Sequence, residues 1–253
     1  MYKVMGKAQV PDAIAWSPVG GMVVMKELQE ILEAARSKGQ KALSEYHGKR
    51  VLATYGIPVA EERLVEGLDE AQVAAAEIGY PVVLKVCSPE VTHKTEKGLV
   101  EVGLHDAAEL ERAFRQLQER ARGIDGAFLV QEMVVGRREL AIGMIRDPQF
   151  GPCVMFGLGG IFTEVLRDVS FRVAPIERRD ALEMMRDIRG HKILEAIRGM
   201  DAVDLEAMSQ SLIAIGNIGL EQELIQEIDV NPLIIRGSKP VAVDALVVLR
   251  EGQ

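Results

Sequence analysis

The sequence predicts an α+β protein that consists of two units, each with its own sheet and helices. Between residues 62 and 133, short apolar segments alternate with amphipathic segments in the order β-α-β-β-α-β. Strands then follow between residues 138 and 174, helical stretches between residues 178 and 219, and a strand pair near the C-terminus. The order in the first half favours a small mixed sheet with helices on one face over one long doubly wound sheet.

The composition is that of a globular protein. Of its 253 residues, 48% are hydrophobic and 27% are charged, with a formal net charge of −8. The acidic balance argues against general binding to nucleic acid or anionic membranes, but a nucleotide needs only a local basic site. Because no apolar run is long enough to span a bilayer and the first seven residues lack the apolar core of a signal peptide, we expect a cytoplasmic protein.

Residues 1–47 are predicted to form an N-terminal arm and helix. Residues 1–22 show no clear hydrophobic period, which indicates an irregular arm. From Met25 to about His47, apolar residues recur at helical spacing. A second short helix is expected over Lys49–Tyr55.

The first unit, residues 48–133, is predicted to be a small mixed sheet with helices on one face. In chain order, we expect a strand at 62–65, a helix at 69–78, strands at 81–86 and 99–104, a helix at 107–122 and a strand at 127–133.

The second unit, residues 134–253, is predicted to combine five strands with two helices. In chain order, we expect strands at 138–145, 151–156 and 171–174, helices at 178–199 and 204–219, and strands at 224–235 and 241–249.

A glycine-rich segment, Gly157-Leu158-Gly159-Gly160, directly follows an apolar strand. Glycines allow backbone N–H groups to turn toward a phosphate without a Cβ in the way. The sequence contains no P-loop motif and no Rossmann fingerprint, so this segment is the candidate phosphate-binding element. A glycine-rich turn without a ligand remains an equally open interpretation of the segment taken alone.

Lys85 ends an otherwise apolar strand, Val82-Val83-Leu84. A buried ammonium group needs a partner or a bound anion, because burying it unpaired is costly. The alternative is that Lys85 emerges at a sheet edge, where lysine discourages aggregation.

The C-terminal strand pair predicts a cluster of oxygen ligands. Period two places Glu227, Asp229 and Asn231 on one face of a strand. An antiparallel register through a turn at residues 236–239 places Asn231 opposite Asp244, with their Cβ atoms within about 5.5 Å. Two carboxylates and an amide oxygen on one face suit Mg²⁺, especially when phosphates complete its shell.

His93 lies in a polar loop beside lysines. Such a histidine can be a nucleophile or a phosphate ligand, although a solvated surface histidine is the ordinary interpretation.

Seven segments occur together in one order, and they cover the chain from about Glu27 to Val248. They are Tyr55-Gly56-Ile57-Pro58-Val59, Gly79-Tyr80-Pro81-Val82-Val83-Leu84-Lys85, Ser88-Pro89 with His93-Lys94-Thr95, Val130-Gln131-Glu132-Met133-Val134, Phe156-Gly157-Leu158-Gly159-Gly160 with Glu164, Asp168-Val169-Ser170-Phe171-Arg172, and Glu227-Ile228-Asp229-Val230-Asn231-Pro232-Leu233. With this set the chain resembles the ATP-grasp domain of the ADP-forming acyl-CoA synthetases, which include ADP-forming acetate–CoA ligase and are related to succinyl-CoA synthetase β subunits.

The resemblance implies an ATP-grasp fold, in which two α/β subdomains sandwich the nucleotide behind an N-terminal helical arm. It implies that the chain is an acid–CoA ligase that binds ATP or ADP with Mg²⁺. The implied nucleotide-binding residues are Lys85, Gln131, Glu132, Val134, Gly159, Gly160 and Glu164. The implied metal ligands are Asp229, Asn231 and Asp244. The implied catalytic residues are His93, as a transient phosphoryl acceptor, with Lys85 and Arg172.

In this family the CoA-binding domain and the principal phosphohistidine belong to a separate α part, either fused or a distinct subunit. The resemblance therefore implies a CoA-binding α-type partner in a hetero-oligomer. One departure is Leu99, which stands where the family usually has a second glycine. Two alternatives stay open: another ATP-grasp carboxylate ligase, which would not need His93, and an ATP-binding regulatory subunit without turnover, which Leu99 keeps in view.

Overall fold

The computed structural model describes residues 18–91, 94, 97–160, 166–197 and 199–250. It contains two sheets, one of four strands and one of six, and the helices pack on one face of each. This arrangement confirms the predicted α+β class. Within these residues, no helix has the length and apolar character needed to cross a membrane.

Two N-terminal helices precede the first sheet: α1, Pro18–Ser37, and α2, Glu45–Thr54. The predicted irregular arm was therefore wrong at residues 18–22, and its residues 1–17 lie outside the described residues. The single helix predicted to about His47 was also wrong, because α1 ends at Ser37. Gly39 has a φ of +63°, which ends the first helix in a left-handed conformation. Ser44 caps the second helix, because its side chain accepts a hydrogen bond from the His47 N–H.

The first sheet contains four strands and is covered by two helices. Its elements are β1 (Glu62–Val65), α3 (Leu68–Ile78), β2 (Val82–Cys87), β3 (Val100–Leu104), α4 (Ala107–Arg120) and β4 (Ala127–Glu132). The strand order is β1-β4-β2-β3, and every pair is antiparallel. The predicted mixed sheet was wrong, because β4 inserts between β1 and β2 and separates the two strands that α3 connects.

Helices α3 and α4 cover one face of this sheet, as predicted. Ala71 and Leu110 of these helices pack in one core cluster with Val82 and Leu84 of β2. Since side chains alternate along a strand, Lys85 points to the opposite face.

The second sheet contains six strands and is covered by two further helices. Its elements are β5 (Glu139–Asp147), β6 (Gly151–Leu158), β7 (Val169–Val173), α5 (Arg178–Asp187), α6 (Leu205–Glu221), β8 (Ile225–Arg236), β9 (Lys239–Ala242) and β10 (Leu246–Leu249). The strand order is β10-β8-β5-β6-β7, and β9 pairs with the far end of β8. All of these pairs are antiparallel.

One large core lies between the second sheet and its helices. Val154 of β6 and Leu212 of α6 belong to this cluster, as do Leu32 of α1 and Leu52 of α2. The helix α2 therefore packs into the core of the second sheet, although the predicted first unit begins at residue 48. The division of the chain at residues 47 and 133 stays a prediction.

The helix predicted at residues 178–199 ends early, at Asp187. The Asp168 carboxylate accepts hydrogen bonds from the Arg189 N–H at 2.8 Å and the Gly190 N–H at 2.7 Å. Because these two amides donate to the Asp168 side chain, they do not donate to the carbonyls of a continuing helix. A short 3-10 helix, His191–Leu194, follows.

The C-terminal hairpin follows the predicted register. Ile235 pairs with Pro240, and on the other side of a break Asp229 pairs with Leu246. Both pairs fit one uninterrupted register, so Asn231 and Asp244 occupy facing positions between them. The predicted single strand at 241–249 was wrong, however, because residues 243–245 are not in a strand.

We expect Leu52→Ala to lower the free energy of unfolding by about 2–5 kcal/mol, because Leu52 is completely buried in the core of the second sheet. The matched control is Leu220→Ala on α6, where the side chain is 44% exposed and a loss below about 1 kcal/mol is expected. Urea unfolding of both variants measures the difference. Equal losses would contradict the docking of α2 on this core.

Candidate functional site

Lys85 lies on an interior strand, because β2 is flanked by β4 and β3. This position excludes the interpretation of a lysine at a sheet edge. The Lys85 Nζ donates to Glu45 Oε1 at 2.7 Å, to Gln131 Oε1 at 3.1 Å and to the Val243 carbonyl at 2.7 Å. An ammonium group has three donors, so all three of them are used inside the protein.

Glu45, on the first turn of α2, is the centre of this arrangement. Its side chain is buried, and its Oε1 accepts from Lys49 at 2.8 Å as well as from Lys85. Its Oε2 forms an ion pair with Lys94. Burial alone raises the pKa of Glu45, but the three ammonium groups outweigh it and hold that pKa well below its usual value.

Lys49 is fully buried one helical turn after Glu45. Its Nζ also donates to Gln131 Oε1 at 2.6 Å and forms an ion pair with Glu62. Burial opposes the charged form of Lys49, but the two carboxylates of Glu45 and Glu62 raise its pKa.

The other two lysines differ in their electrostatics. Burial dominates at Lys85 and lowers its pKa, although the Glu45 carboxylate opposes the shift. Lys94 is buried too, but the Glu45 carboxylate and Asp244, whose Oδ1 lies 3.3 Å from Lys94 Nζ, raise its pKa. Asp244 lies at the edge of this group, where its side chain is 39% exposed, and the other five side chains are buried. We call the six ionisable residues the buried charge cluster: Glu45, Lys49, Glu62, Lys85, Lys94 and Asp244.

The buried charge cluster joins the two sheets. It takes residues from α2, β1, β2, the loop after β2 and the link between β9 and β10. Three ammonium groups face three carboxylates, so the formal charges balance. The Val243 carbonyl that binds Lys85 also explains the break in the predicted C-terminal strand, because it turns away from the ladder toward the lysine.

The glycine-rich segment lies against the C-terminal hairpin. The Gly160 N–H donates to Asn231 Oδ1 at 3.0 Å, and the Gly159 N–H donates to the Glu139 carbonyl at 2.9 Å. A Cβ at Gly159 would collide with the Leu140 backbone, and Gly160 has a φ of +59°. Both positions therefore require glycine.

Asp229 lies on the face of the second sheet that α5 and α6 leave uncovered. It pairs with Gly143, which pairs in turn with Met155, so Asp229 and Met155 share this face. Its neighbours Ile228 and Val230 are buried in the core on the opposite face, as the period predicted.

Among the residues that the structure describes, no three His, Cys, Asp or Glu side chains form a group that could hold a metal ion. The predicted magnesium ligands Asp229, Asn231 and Asp244 comprise two carboxylates and one amide. This set stays a prediction.

The segment that leaves β4 is fixed to the second sheet. Glu132 Oε2 pairs with Arg236 at 2.7 Å, and its Oε1 accepts from the Glu61 N–H at 3.0 Å. Val134 is buried in a small cluster with Val241. Gln131, Glu132 and Val134 thus lie where the chain passes from one sheet to the other, and their nucleotide contacts stay predictions.

Arg172 is separated from the buried charge cluster. It pairs directly with Val154, which lies in the core beneath α6, so the two side chains share the helix-covered face. There its guanidinium forms an ion pair with Asp187 of α5 at 2.5 Å. The structure therefore brings together Lys85, Gln131 and Asp244, and it places Arg172 on the face opposite to Asp229.

Two of the predicted site residues, His93 and Glu164, lie outside the described residues. Their roles stay predictions.

Glu45, Lys49 and Glu62 were not predicted as site residues from the sequence. A Glu–Lys pair spaced four apart on a helix is commonly a solvent-exposed pair. The available signal was that Glu45 and Lys49 share one helical face with Leu52, since spacings of four and seven residues align on a helix. A charged pair on an apolar face is an indication of a buried ion pair.

Two sheets that meet at a buried lysine, a glycine-rich turn and an acidic hairpin define the ATP-grasp class, and the ATP-grasp domain family matches residues 34–249.

The similar proteins share more than this fold. The chain is 43% identical over 227 residues to the β subunit of ADP-forming acetate–CoA ligase I from Pyrococcus furiosus, covering 87% of this chain and 97% of that subunit. It is 41% identical to ADP-forming acetate–CoA ligase I from Archaeoglobus fulgidus, covering 98% of this chain but only 36% of that longer protein.

A solved structure is similar as well. The dinucleotide-forming acetyl-CoA synthetase 1 from Ca. Korarchaeum cryptofilum, in complex with coenzyme A and Mg-AMPPCP, matches with a TM-score of 0.79 and 45% identity, covering 88% of this chain and all of that one. In that structure the phosphohistidine segment points toward the nucleotide-binding site. The chain belongs to the ATP-grasp family of ADP-forming acyl-CoA ligase subunits and domains.

We expect Lys49→Met to lower the free energy of unfolding by about 3–5 kcal/mol, because it leaves buried carboxylates without their ammonium partner. The matched control is Lys26→Met, which removes an exposed ion pair with Glu30 and should change stability by less than about 0.5 kcal/mol. Urea unfolding at neutral pH measures both. A loss at Lys49 no larger than at Lys26 would mean that the cluster contributes nothing to folding.

Proposed function

We propose that this chain is the nucleotide-binding subunit of an ADP-forming acyl-CoA ligase. The reaction interconverts acyl-CoA, ADP and phosphate with a carboxylate, CoA and ATP. The close similarity to ADP-forming acetate–CoA ligase subunits along almost the whole chain supports this assignment.

One geometric observation carries the proposal. The Gly160 N–H donates to Asn231 Oδ1, and Lys94 Nζ donates to Asp244 Oδ1. Asn231 and Asp244 occupy facing positions of the hairpin. Backbone and ammonium donors thus converge with oxygen ligands at one place between the two sheets. Phosphoryl transfer needs such positioning and charge neutralisation more than covalent chemistry by the protein.

The residues present fit a magnesium ion. Asp229, Asn231 and Asp244 would hold it, because hard oxygen donors from a few side chains, with phosphates completing the shell, are what Mg²⁺ prefers. The bound ion would neutralise phosphate charge.

The chain's own cations complete the neutralisation. Among the described residues, Lys94 Nζ donates to Glu45 Oε2 and to Asp244 Oδ1. An ammonium group has three donors, so the third can bind a phosphate oxygen. Lys85 lies beside it and shares the Glu45 carboxylate. Gln131, Glu132 and Val134, at the passage between the sheets, would contact adenine and ribose.

The phosphoryl group would reach the nucleotide through histidine. A neutral imidazole is nucleophilic near pH 7, so His93 can take the group from a phosphohistidine of the α-type partner, whose N–P bond breaks, and pass it to the β-phosphate of ADP. The bond to the imidazole nitrogen then breaks as the new P–O bond forms. Arg172 is paired with Asp187 on the helix-covered face, and the proposal gives it no direct part in this step.

The homologous β subunits belong to multi-chain ligases. We propose that a CoA-binding α-type subunit partners this chain and brings the acyl phosphate chemistry, and that the assembly is cytoplasmic. The longer relative from Archaeoglobus fulgidus, of which this chain matches about a third, supports a second part of that kind.

The proposal predicts acid-labile, base-stable label on this chain after incubation with Mg-[γ-³²P]ATP and a co-expressed CoA-binding α-type subunit. The label should disappear in His93→Ala, because the acceptor nitrogen is gone. It should persist in His105→Ala, which removes an exposed histidine from the loop before α4.

Absence of label on the unaltered chain, with nucleotide binding intact, would remove His93 from the mechanism. That result would favour a different ATP-grasp ligase or a nucleotide-binding subunit without turnover.

A second prediction concerns the glycine-rich segment. Gly159→Ala should weaken Mg-ADP binding by about tenfold or more, because the new Cβ collides with the Leu140 backbone and displaces the neighbouring Gly160 amide. The matched control is Gly67→Ala, where a Cβ meets open space and binding should be unchanged. Calorimetric titration with Mg-ADP measures both, and unaltered affinity in Gly159→Ala would exclude this segment from the phosphate site.

A further inference from the structure

The lysines of the proposed nucleotide site are held in place by side chains that no phosphate would contact. The charged and polar groups that face Lys85 come from five parts of the chain: Glu45 and Lys49 from α2, Glu62 from β1, Gln131 from β4, Lys94 from the loop after β2, and Asp244 from the link before β10. Of these groups, Glu45 makes the closest contact, at 2.7 Å. The neighbouring strand β3 places Val100 opposite Lys85.

Within the described residues, Glu45 is the carboxylate that contacts both Lys85 and Lys94. It uses one oxygen for each: Oε1 accepts from Lys85, and Oε2 pairs with Lys94. Because the two lysines come from different parts of the chain, this bridge fixes the distance between their ammonium groups. Lys49 and the buried helix α2 fix the carboxylate itself.

We propose that Glu45 is a positioning residue of the nucleotide site, whose two carboxylate oxygens hold the Lys85 and Lys94 ammonium groups side by side. Lys49 anchors Glu45 in turn. This inference rests on the proposed function, because it assigns Glu45 to the same phosphate-binding site.

The physical reason is the cost of burying like charges together. Burial lowers the pKa of Lys85, and the ammonium groups of Lys49 and Lys94 lower it further. The Glu45 carboxylate is the main group that opposes this shift. The three donors of Lys85 are used inside the protein, so a protonated Lys85 attracts phosphates through its charge and not through a hydrogen bond. Nucleotide affinity should therefore fall as the pH rises through the pKa of Lys85, and loss of the Glu45 charge should move that fall to lower pH.

The test measures the affinity of the full chain for Mg-ADP between about pH 6.5 and 9.5, by calorimetric titration. Glu45→Gln keeps the shape of the side chain and removes its charge. Its alkaline loss of affinity should begin about one to three pH units below that of the unaltered chain, the range over which a close opposite charge shifts a pKa. At the alkaline end its affinity should be at least about tenfold weaker than the unaltered chain's.

Three further variants assign the effect. Lys85→Arg keeps its charge throughout this range, so it should lose the alkaline fall. Glu45→Asp keeps the carboxylate but withdraws it by one methylene, so its profile should lie between those of the unaltered chain and Glu45→Gln. Glu111→Gln removes a carboxylate from an exposed pair with Arg115 on α4 and should leave the profile unchanged.

A merely structural role for Glu45 would weaken binding by the same factor at every pH. An alkaline fall that stays at its original pH in Glu45→Gln, or in Glu45→Asp where the former does not fold, overturns the inference and leaves the proposed function standing. Failure of the unaltered chain to bind Mg-ADP at any pH would instead overturn the proposed function.

Discussion

The structure depends on one buried carboxylate that three ammonium groups surround. Glu45 is 3% exposed, and Lys49 is completely buried. Burying these charges is tolerated only because each has a close partner, since an isolated buried ion costs several kcal/mol. A helix, the first sheet and the C-terminal hairpin must therefore come together in one arrangement for the cluster to form.

That constraint explains features distant from the carboxylate. The C-terminal strand breaks at residues 243–245 because the Val243 carbonyl accepts a hydrogen bond from Lys85 and the Asp244 carboxylate accepts one from Lys94. The break leaves the register intact, so Asp244 still faces Asn231. The Asn231 side chain accepts a hydrogen bond from the Gly160 N–H. The same contacts that satisfy buried charge thus bring together, between the sheets, the groups that we propose bind phosphate and metal.

The sequence predicted what depends on local pattern. Period two along residues 227–231 identified both faces of β8, and the turn placed at residues 236–239 led to the register that the pairing of Ile235 with Pro240 shows. The sequence did not predict that β4 lies between β1 and β2, because a hydrophobic period gives no information about the order of strands in a sheet. It did not predict the early end of α5, because Asp168 acts there from another element.

The site was partly predictable for the same reason. Lys85 was recognised as a candidate because a lysine in an apolar strand is an anomaly, but the sequence left open whether it has a buried partner or lies at a sheet edge. The partner itself, Glu45, lies 40 residues away in sequence, in a helix where a Glu–Lys pair has an ordinary surface explanation. Arg172 was grouped with the phosphates from the family resemblance, whereas alternation along β7 directs it to the helix-covered face.

A crystal structure of the chain with Mg-ADP would show whether Glu45 holds the lysines of the phosphate site. We predict phosphates beside the Gly160 amide and Lys94, the metal at Asp229, Asn231 and Asp244, and Glu45 still in contact with both Lys85 and Lys94. A nucleotide bound elsewhere, or phosphates that displace Glu45 from these lysines, would contradict this prediction.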